Sequence, residues 1–485
     1  MDIGQTHLGG LISNSQQDEK VRYHIVGSRV RMACNLVKSL YGGSHRSKLI
    51  VNGYGQILLS SQPGVIYDNV KVNHPLVKLL QEYVKKMDVI GDGATFFVVL
   101  VSELIQEAID VIGRGMKPAC FSSLLREAHK EIDDLGRELL VEHRIDFEDK
   151  ETISMVLRGV LKDKWLEEIV VEGISLARSF SSESIRVCKV ACGSVEDSYV
   201  VEGMVFNRLP EGEVKHARQG RTSIYNCPLD ISRTELKGTV LMRTASELLS
   251  FSKEENRRIK ELVESISADV IICSGKVDKI YLDFLNKGRK LVFRITSKYD
   301  LRRIRELLGG HILSTLEPPA EGSMGVVSEV ATFREGSTEY TKFISGSKKV
   351  YTLVLKNSVQ AVLDEHERMV QKALVVLSKN VSGGKIGLVD GAGRFERRLS
   401  KAFLERSAGL SGGKSLAYKC IGKALGTFGS SDVKVYDIYN AKIKALKYSM
   451  EFVSTLFETS DYLIGRQEAL NIGPRNNQHW DEEDH

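Results

Sequence analysis

The sequence predicts a multidomain α+β molecule in which helical segments near both ends of the chain bracket an inserted α/β segment. Three observations carry this. The 485 residues exceed what a single hydrophobic core accommodates, so about two to four domains are expected. Apolar residues recur at helical spacing towards both ends. From Ile185 the texture changes to short β-rich runs punctuated by Gly203, Gly212, Gly220 and Gly238.

In order along the chain, Lys20 to Leu40 and Pro75 to Met87 read as amphipathic helices, and Thr95 to Ile112 as a helix apolar nearly all round, hence interior. Leu49 to Leu59, with Gly53 and Gly55 between apolar runs, reads as a hairpin. Ser198 to Phe206, Thr222 to Tyr225 and Thr239 to Arg243 read as strands, and the spacing of Ser252 and Glu255 as a capping box before a surface helix. Then come Asp269 to Cys273 (strand), Lys279 to Asn286 (helix), Lys290 to Thr296 (strand) and Asp300 to Leu308 (helix), an open βαβα arrangement. After Pro318-Pro319 the chain returns through a strand at Tyr351 to Leu355 into a long helix, Val359 to Ser378. Beyond the Gly-rich Ser382 to Gly393 it reads as helical again.

Composition narrows the function classes. Hydrophobic residues make up 42% and charged residues 27%, an ordinary globular balance. The net charge of +5 is small, and no basic run is interleaved with aromatics, so no nucleic-acid partner is expected. The apolar run Phe96 to Val101 is far too short to span a bilayer, and Met1 to Gly4 does not open a secretory signal, so no membrane partner and a cytoplasmic location are expected. Seven scattered cysteines without a CxxC pair fit reduced thiols.

One motif carries chemistry. Asn73-His74-Pro75 is followed by Gly91-Asp92-Gly93-Ala94-Thr95 at the start of the apolar helix. Glycines there let backbone N–H groups approach phosphates, a helix N-terminus favours negative charge, and the aspartate is a candidate Mg²⁺ ligand. A tight turn before a core helix is the alternative reading of the same residues.

This element is similar to the HPA…GDGTT element of the group II chaperonins. Longer phrases in the middle of the chain also resemble a subunit of the eukaryotic cytosolic chaperonin: Ser184 to Lys189, Glu202 to Phe206, Thr234 to Leu241, Ser274 to Val277 and Ser297 to Arg303, with an acidic end at Trp480 to Asp484. The resemblance spans roughly Lys20 to Ile464. It implies a chaperonin fold with a helical equatorial domain at 1–145 and 386–485, a small intermediate domain at 146–184 and 346–385, and an α/β apical domain at 185–345. It further implies ATP or ADP with Mg²⁺ as cofactors, paralogous subunits in a hetero-oligomeric double ring as partners, and non-native polypeptides as clients.

Carried over residue by residue, the resemblance places nucleotide contacts on Tyr41, Gly42, Gly93, Ala94, Thr95, Phe96, Lys164, Ala392 and Gly393, and the metal on Asp92. Lys164 reads equally as an exposed helix charge. Arg302, Arg303 and Arg305 are candidates for client contact, or simply a solvated basic face.

The family pattern is broken at the nucleotide site. In Tyr41 to Lys48 the phosphate loop keeps its first glycine and its lysine but loses a proline and the second glycine. Counting back from His74-Pro75 puts Gln62 where one catalytic aspartate belongs, and counting on from Glu367-Arg368 puts Gln371-Lys372 where an acidic pair belongs. A segment between Phe428 and Tyr439 is shortened, leaving Asp437. Neither an amide nor an ammonium prepares water for attack on phosphorus, a role worth ~10²- to 10⁴-fold in rate. The leading expectation is a ring subunit that has lost hydrolysis. The alternatives are an ATPase using Asp364 or Glu365 instead, and a nucleotide-binding adaptor outside the ring.

Overall fold

The computed structural model describes residues 16–42, 46–70, 74–161, 163–230, 256–346, 349–429 and 435–459. The expected strand Thr239 to Arg243, the capping box at Ser252, the phrase Thr234 to Leu241, Asn73, the middle of the Tyr41 to Lys48 loop and the acidic end lie outside them.

The first segment is helical. Helix α1 (Gln16–Lys38) leads into a hairpin of β1 (Lys48–Val51) and β2 (Ile57–Ser60), with Leu49 opposite Leu59. Its turn is closed by the Asn52 side chain, which accepts from the backbone N–H groups of Tyr54 and Gln56. Helices α2 (Pro63–Asn69), α3 (Pro75–Ile90), α4 (Ala94–Gly113) and α5 (Pro118–Arg137) follow. Three of these start on proline, whose missing N–H costs nothing in a first turn. After β3 (Val141–Arg144), α6 (Lys150–Leu157) and α7 (Lys164–Ala177) begin under Asp149 and Asp163, whose carboxylates accept from the first free N–H groups.

Strand β4 (Ile185–Val190) opens the β-rich part, with β5 (Tyr199–Val201), β6 (Met204–Phe206) and β7 (Ala217–Tyr225). Ser198 to Phe206 is therefore two strands, and they enter different sheets. At Gly203 between them φ is +148°, and a Cβ would lie 2.1 Å from the Phe343 carbonyl oxygen, so only glycine fits the crossing. Next come α8 (256–265), β8 (Val270–Cys273), α9 (Lys279–Lys287), β9 (Leu291–Arg294), α10 (Lys298–Leu308) and β10 (Ile312–Leu313). Strands β11 (Gly325–Glu335) and β12 (Thr338–Ile344) precede β13 (Tyr351–Lys356).

The large sheet runs β6-β12-β11-β7-β8-β9, with β10 also on β7. Its β7-β8-β9 half is parallel and covered on both faces. Side-chain alternation along β8 sends Val270 and Ile272 towards Leu301 and Ile304 of α10. Ile271 and Cys273 go towards Ile259 of α8 and Leu285 of α9. A separate sheet, β4-β13-β5, lies between this body and the helices.

The chain then returns through α11 (Gln360–Asn380), β14 (Val381–Ser382), β15 (Lys385–Asp390), α12 (Arg394–Ala408), α13 (Gly412–Gly426), β16 (Tyr436–Ile438) and α14 (Tyr439–Glu458). The Gly-rich Ser382 to Gly393 thus contains the central strand of a small sheet, pairing β3 on one side and β16 on the other. One continuous core joins the two ends: Phe97, Val101 and Ile105 of α4 pack with Phe403, Tyr418, Phe452 and Val453. The interior placement expected for the apolar helix is observed, and the multidomain α+β class stands.

Candidate functional site

Two turns without side-chain caps converge on one cavity. Helix α3 ends on Gly91 (φ +99°), whose N–H donates to the Met87 carbonyl at 3.0 Å, and α4 starts after Gly93 (φ +86°). A Cβ on Gly91 would lie 2.9 Å from Val376 Cγ2; one on Gly93 would lie 3.1 Å from the Ala441 carbonyl oxygen. Glycine is thus demanded by both backbone and packing. The second turn joins β15 to α12. Ala392 (φ +56°) and Gly393 (φ +81°) adopt left-handed geometry there, which costs alanine roughly 1–2 kcal/mol. No side chain caps α4 or α12, so both present open N–H groups to an anion.

The cavity between them has a volume of about 440 Å³. Of the residues expected from the resemblance, Tyr41, Gly42, Gln62, Asp92, Gly93, Thr95, Phe96, Lys372, Ala392 and Gly393 all line it. Ala94 is buried behind the wall. Lys164 is not on the wall: its side chain is 83% exposed and pairs with Glu168 one turn on, the geometry of a surface helix charge.

Both substituted positions line the cavity. Gln62 stands at the N-cap of α2 without capping it, and its Nε2 is buried with no hydrogen-bond partner among the described residues. Lys372, on α11, places Nζ 3.4 Å from Asp92 Oδ1, both side chains being about three-quarters buried. The neighbouring Asp88 carboxyl is pushed up to about 6 by desolvation, against the pull of Lys372.

Sequence reasoning named Tyr41 and Asp437 but missed Lys442 and Glu396, which join them. Lys442, from α14, is almost fully buried; it donates to Glu396, pairs with Asp437 Oδ2 at 3.0 Å and lies 4.2 Å from the Phe96 ring centre. Tyr41 Oη donates to Glu396 at 3.3 Å, which holds the ring across this cluster. Burial works to discharge Lys442, but Asp437 and Glu396 outweigh it and keep it charged. Burial likewise raises the Asp437 carboxyl. Asp437 itself stands on the cavity wall, as does Arg158, which pairs with Glu167 at 3.3 Å. Nothing in the local sequence marks Lys442, because its burial depends on α12 and β16.

Among the described lining residues the carboxylates are Asp92 and Asp437, and each is held by a lysine. The expected substitutes lie elsewhere: Asp364 accepts from Lys189 at 2.7 Å, and Glu365 from Ser61 N and Oγ, both at 2.7 Å, and from Arg368. The metal expectation for Asp92 meets the same obstacle. Mg²⁺ takes one or two carboxylates plus phosphates, and here Asp92 already faces the Lys372 ammonium and Asp437 that of Lys442. The residues present do not fit a divalent ion on Asp92.

The three arginines of α10 divide. Arg303 Nη1 donates to Asp300 at 2.8 Å and Nη2 to the Ser182 carbonyl at 2.9 Å, so its guanidinium is engaged in an internal clamp. Arg186 of β4 joins that clamp through Asp300 and stacks on Phe206. Arg305 is half-exposed and pairs with Glu306, and Arg302 is exposed.

A helical body closed from both chain ends and carrying an α/β insertion is a chaperonin architecture, and the chain belongs to the TCP-1/cpn60 chaperonin family, whose model matches residues 34–431. Among individual proteins it is 99% identical, over the whole of both chains, to T-complex protein 1 subunit theta of Encephalitozoon cuniculi (strain GB-M1). It is 27% identical to the theta subunit of Caenorhabditis briggsae across 92% of each chain. Against that of Saccharomyces cerevisiae the identity is 31%, across 76% of this chain and 70% of the relative. The resemblance read from the residue phrases is borne out. Among the described residues no helix is long and apolar enough to cross a membrane.

Proposed function

We propose that this chain is a subunit of a cytoplasmic, hetero-oligomeric double-ring chaperonin that encloses non-native polypeptides with its paralogues, and that its own cavity holds ATP or ADP without cleaving it. In this reading the body built from both chain ends is the equatorial domain and the large sheet with its helices is the apical domain; β4 and β5, inside the 185–345 span expected to be apical, pair with β13 and go with the intermediate domain, which moves that boundary to Gly203. The observation that carries the loss of hydrolysis is the Lys372 ammonium, 3.4 Å from Asp92 where the family has an acid. The two open helix N-termini support phosphate binding independently of it.

Two measurements test the reading. Native mass measurement places the chain in a very large particle with its paralogues; a free monomer in the cell would remove the ring assignment. Phosphate release from the purified full-length chain is absent, and the double change Gln62→Asp with Lys372→Asp raises turnover by about 10²- to 10⁴-fold if water positioning is what was lost. Ordinary turnover in the unaltered chain would overturn the proposal.

A further inference from the structure

We propose that the Lys372 ammonium takes the place of the divalent cation, so that this chain holds the phosphates of ATP through direct donors and without magnesium. The inference rests on the nucleotide-site reading and adds to it the ionic form of the ligand.

Three observations converge on this. First, both substitutions remove an acid: Gln62 lines the cavity with its Nε2 enclosed in the wall and without an acceptor among the described residues, and Lys372 lines it from α11. A carboxylate at either position would repel phosphate unless a metal stood between them; a neutral amide removes that repulsion, and an ammonium attracts phosphate directly. Second, Lys372 meets one carboxylate at 3.4 Å, a separation longer than a charge-assisted hydrogen bond, which leaves ammonium donors for a second anion. Third, the other lysine of the cavity is not available: Lys442 is shared between Glu396 and Asp437 and capped by the Phe96 ring. Among the described lining residues, the carboxylate suited to a metal is therefore neutralised by the ammonium suited to phosphate.

The physical consequence is a reversed metal dependence. Where a site supplies acids, chelating magnesium removes the bridge between protein and phosphate. Here the bridge is covalently part of α11, and chelation leaves it in place.

Isothermal titration of the full-length chain with ATP, in excess magnesium and in EDTA, tests this. Dissociation constants in the two buffers should agree within about threefold, well below one charge-assisted contact. Lys372→Met, close in volume, should weaken ATP binding in EDTA by about tenfold or more. Lys372→Asp should lose binding in EDTA and regain it when magnesium is added. Circular dichroism checks that each variant is folded, and Lys372→Met carries the test if the aspartate variant is not. An unaltered chain that binds ATP only with magnesium, or a Lys372→Met chain that binds in EDTA like the parent, overturns the inference and leaves the nucleotide site standing. No heat with ATP or ADP in either buffer overturns both.

Discussion

The two lysines that line the cavity differ in what surrounds them, and that difference separates a charge answered by surplus acid from one that is not. Lys442 is 7% exposed and answers two carboxylates; Lys372 is 26% exposed and answers one. A buried cation with surplus acid around it is saturated and holds the wall together. A partly open cation paired with one acid at 3.4 Å, and with Asp88 farther off, retains attraction for anything negative that enters. The clamp between the α/β body and β4 is the mirror image of the first, with one carboxylate, Asp300, answering two guanidiniums.

The comparison breaks most readily at Lys442. Replacing it with Met leaves Glu396 and Asp437 buried without their shared cation, and should cost about 3–5 kcal/mol of stability in thermal or denaturant unfolding of the full-length chain. Adding Glu396→Gln and Asp437→Asn should recover much of that loss. A Lys442→Met chain as stable as the parent would place this lysine in the same class as Lys372.

The clamp sharpens the comparison through pH. Burial would raise the Asp300 carboxyl, but hydrogen bonds from Arg186 and Arg303 outweigh it and hold it below the usual carboxylate range. A depressed folded value means that the stabilisation is complete above the unfolded pKa of about 3.9 and is lost as pH falls through the folded value. Asp300→Asn should therefore be less stable than the parent by about 1–3 kcal/mol at neutral pH, and the gap should close only below about pH 4. A gap that closes already near pH 6 would mean that Asp300 is not held by the arginines.

The smallest effect belongs to Lys164. Its exposed pair with Glu168 is worth a few tenths of a kcal/mol, so Lys164→Ala should change stability by less than about 0.5 kcal/mol. Its affinity for ATP should match the parent; a loss of binding would bring this lysine back to the site.

How much was legible follows from the range of the interactions involved. Glycine-bounded turns are local, so Gly91-Asp92-Gly93 and the β1-β2 hairpin were readable, as was α4, whose all-round apolarity announces an interior helix. Strands β11 and β12 were not expected at all. They are half-exposed and carry Glu329, Arg334, Glu339 and Lys342 along their length, so neither alternation nor an apolar run marks them. The break at Gly203 was also hidden, because it answers to the Phe343 carbonyl, which lies 140 positions away in the chain.

At the site, residue types alone decided that Gln62 and Lys372 are not acids, and that removes a way to prepare water wherever they stand. Whether they stand together was a matter for tertiary structure. α2, α3 and α11 had to meet before Lys372 could face Asp92, and α12, α14 and β16 had to meet before Lys442 could be enclosed. Chemical identity is a property of one position, whereas proximity and burial are properties of several elements packed at once. For that reason the loss of the acids could be read from the chain, but the pairing that replaced them could not.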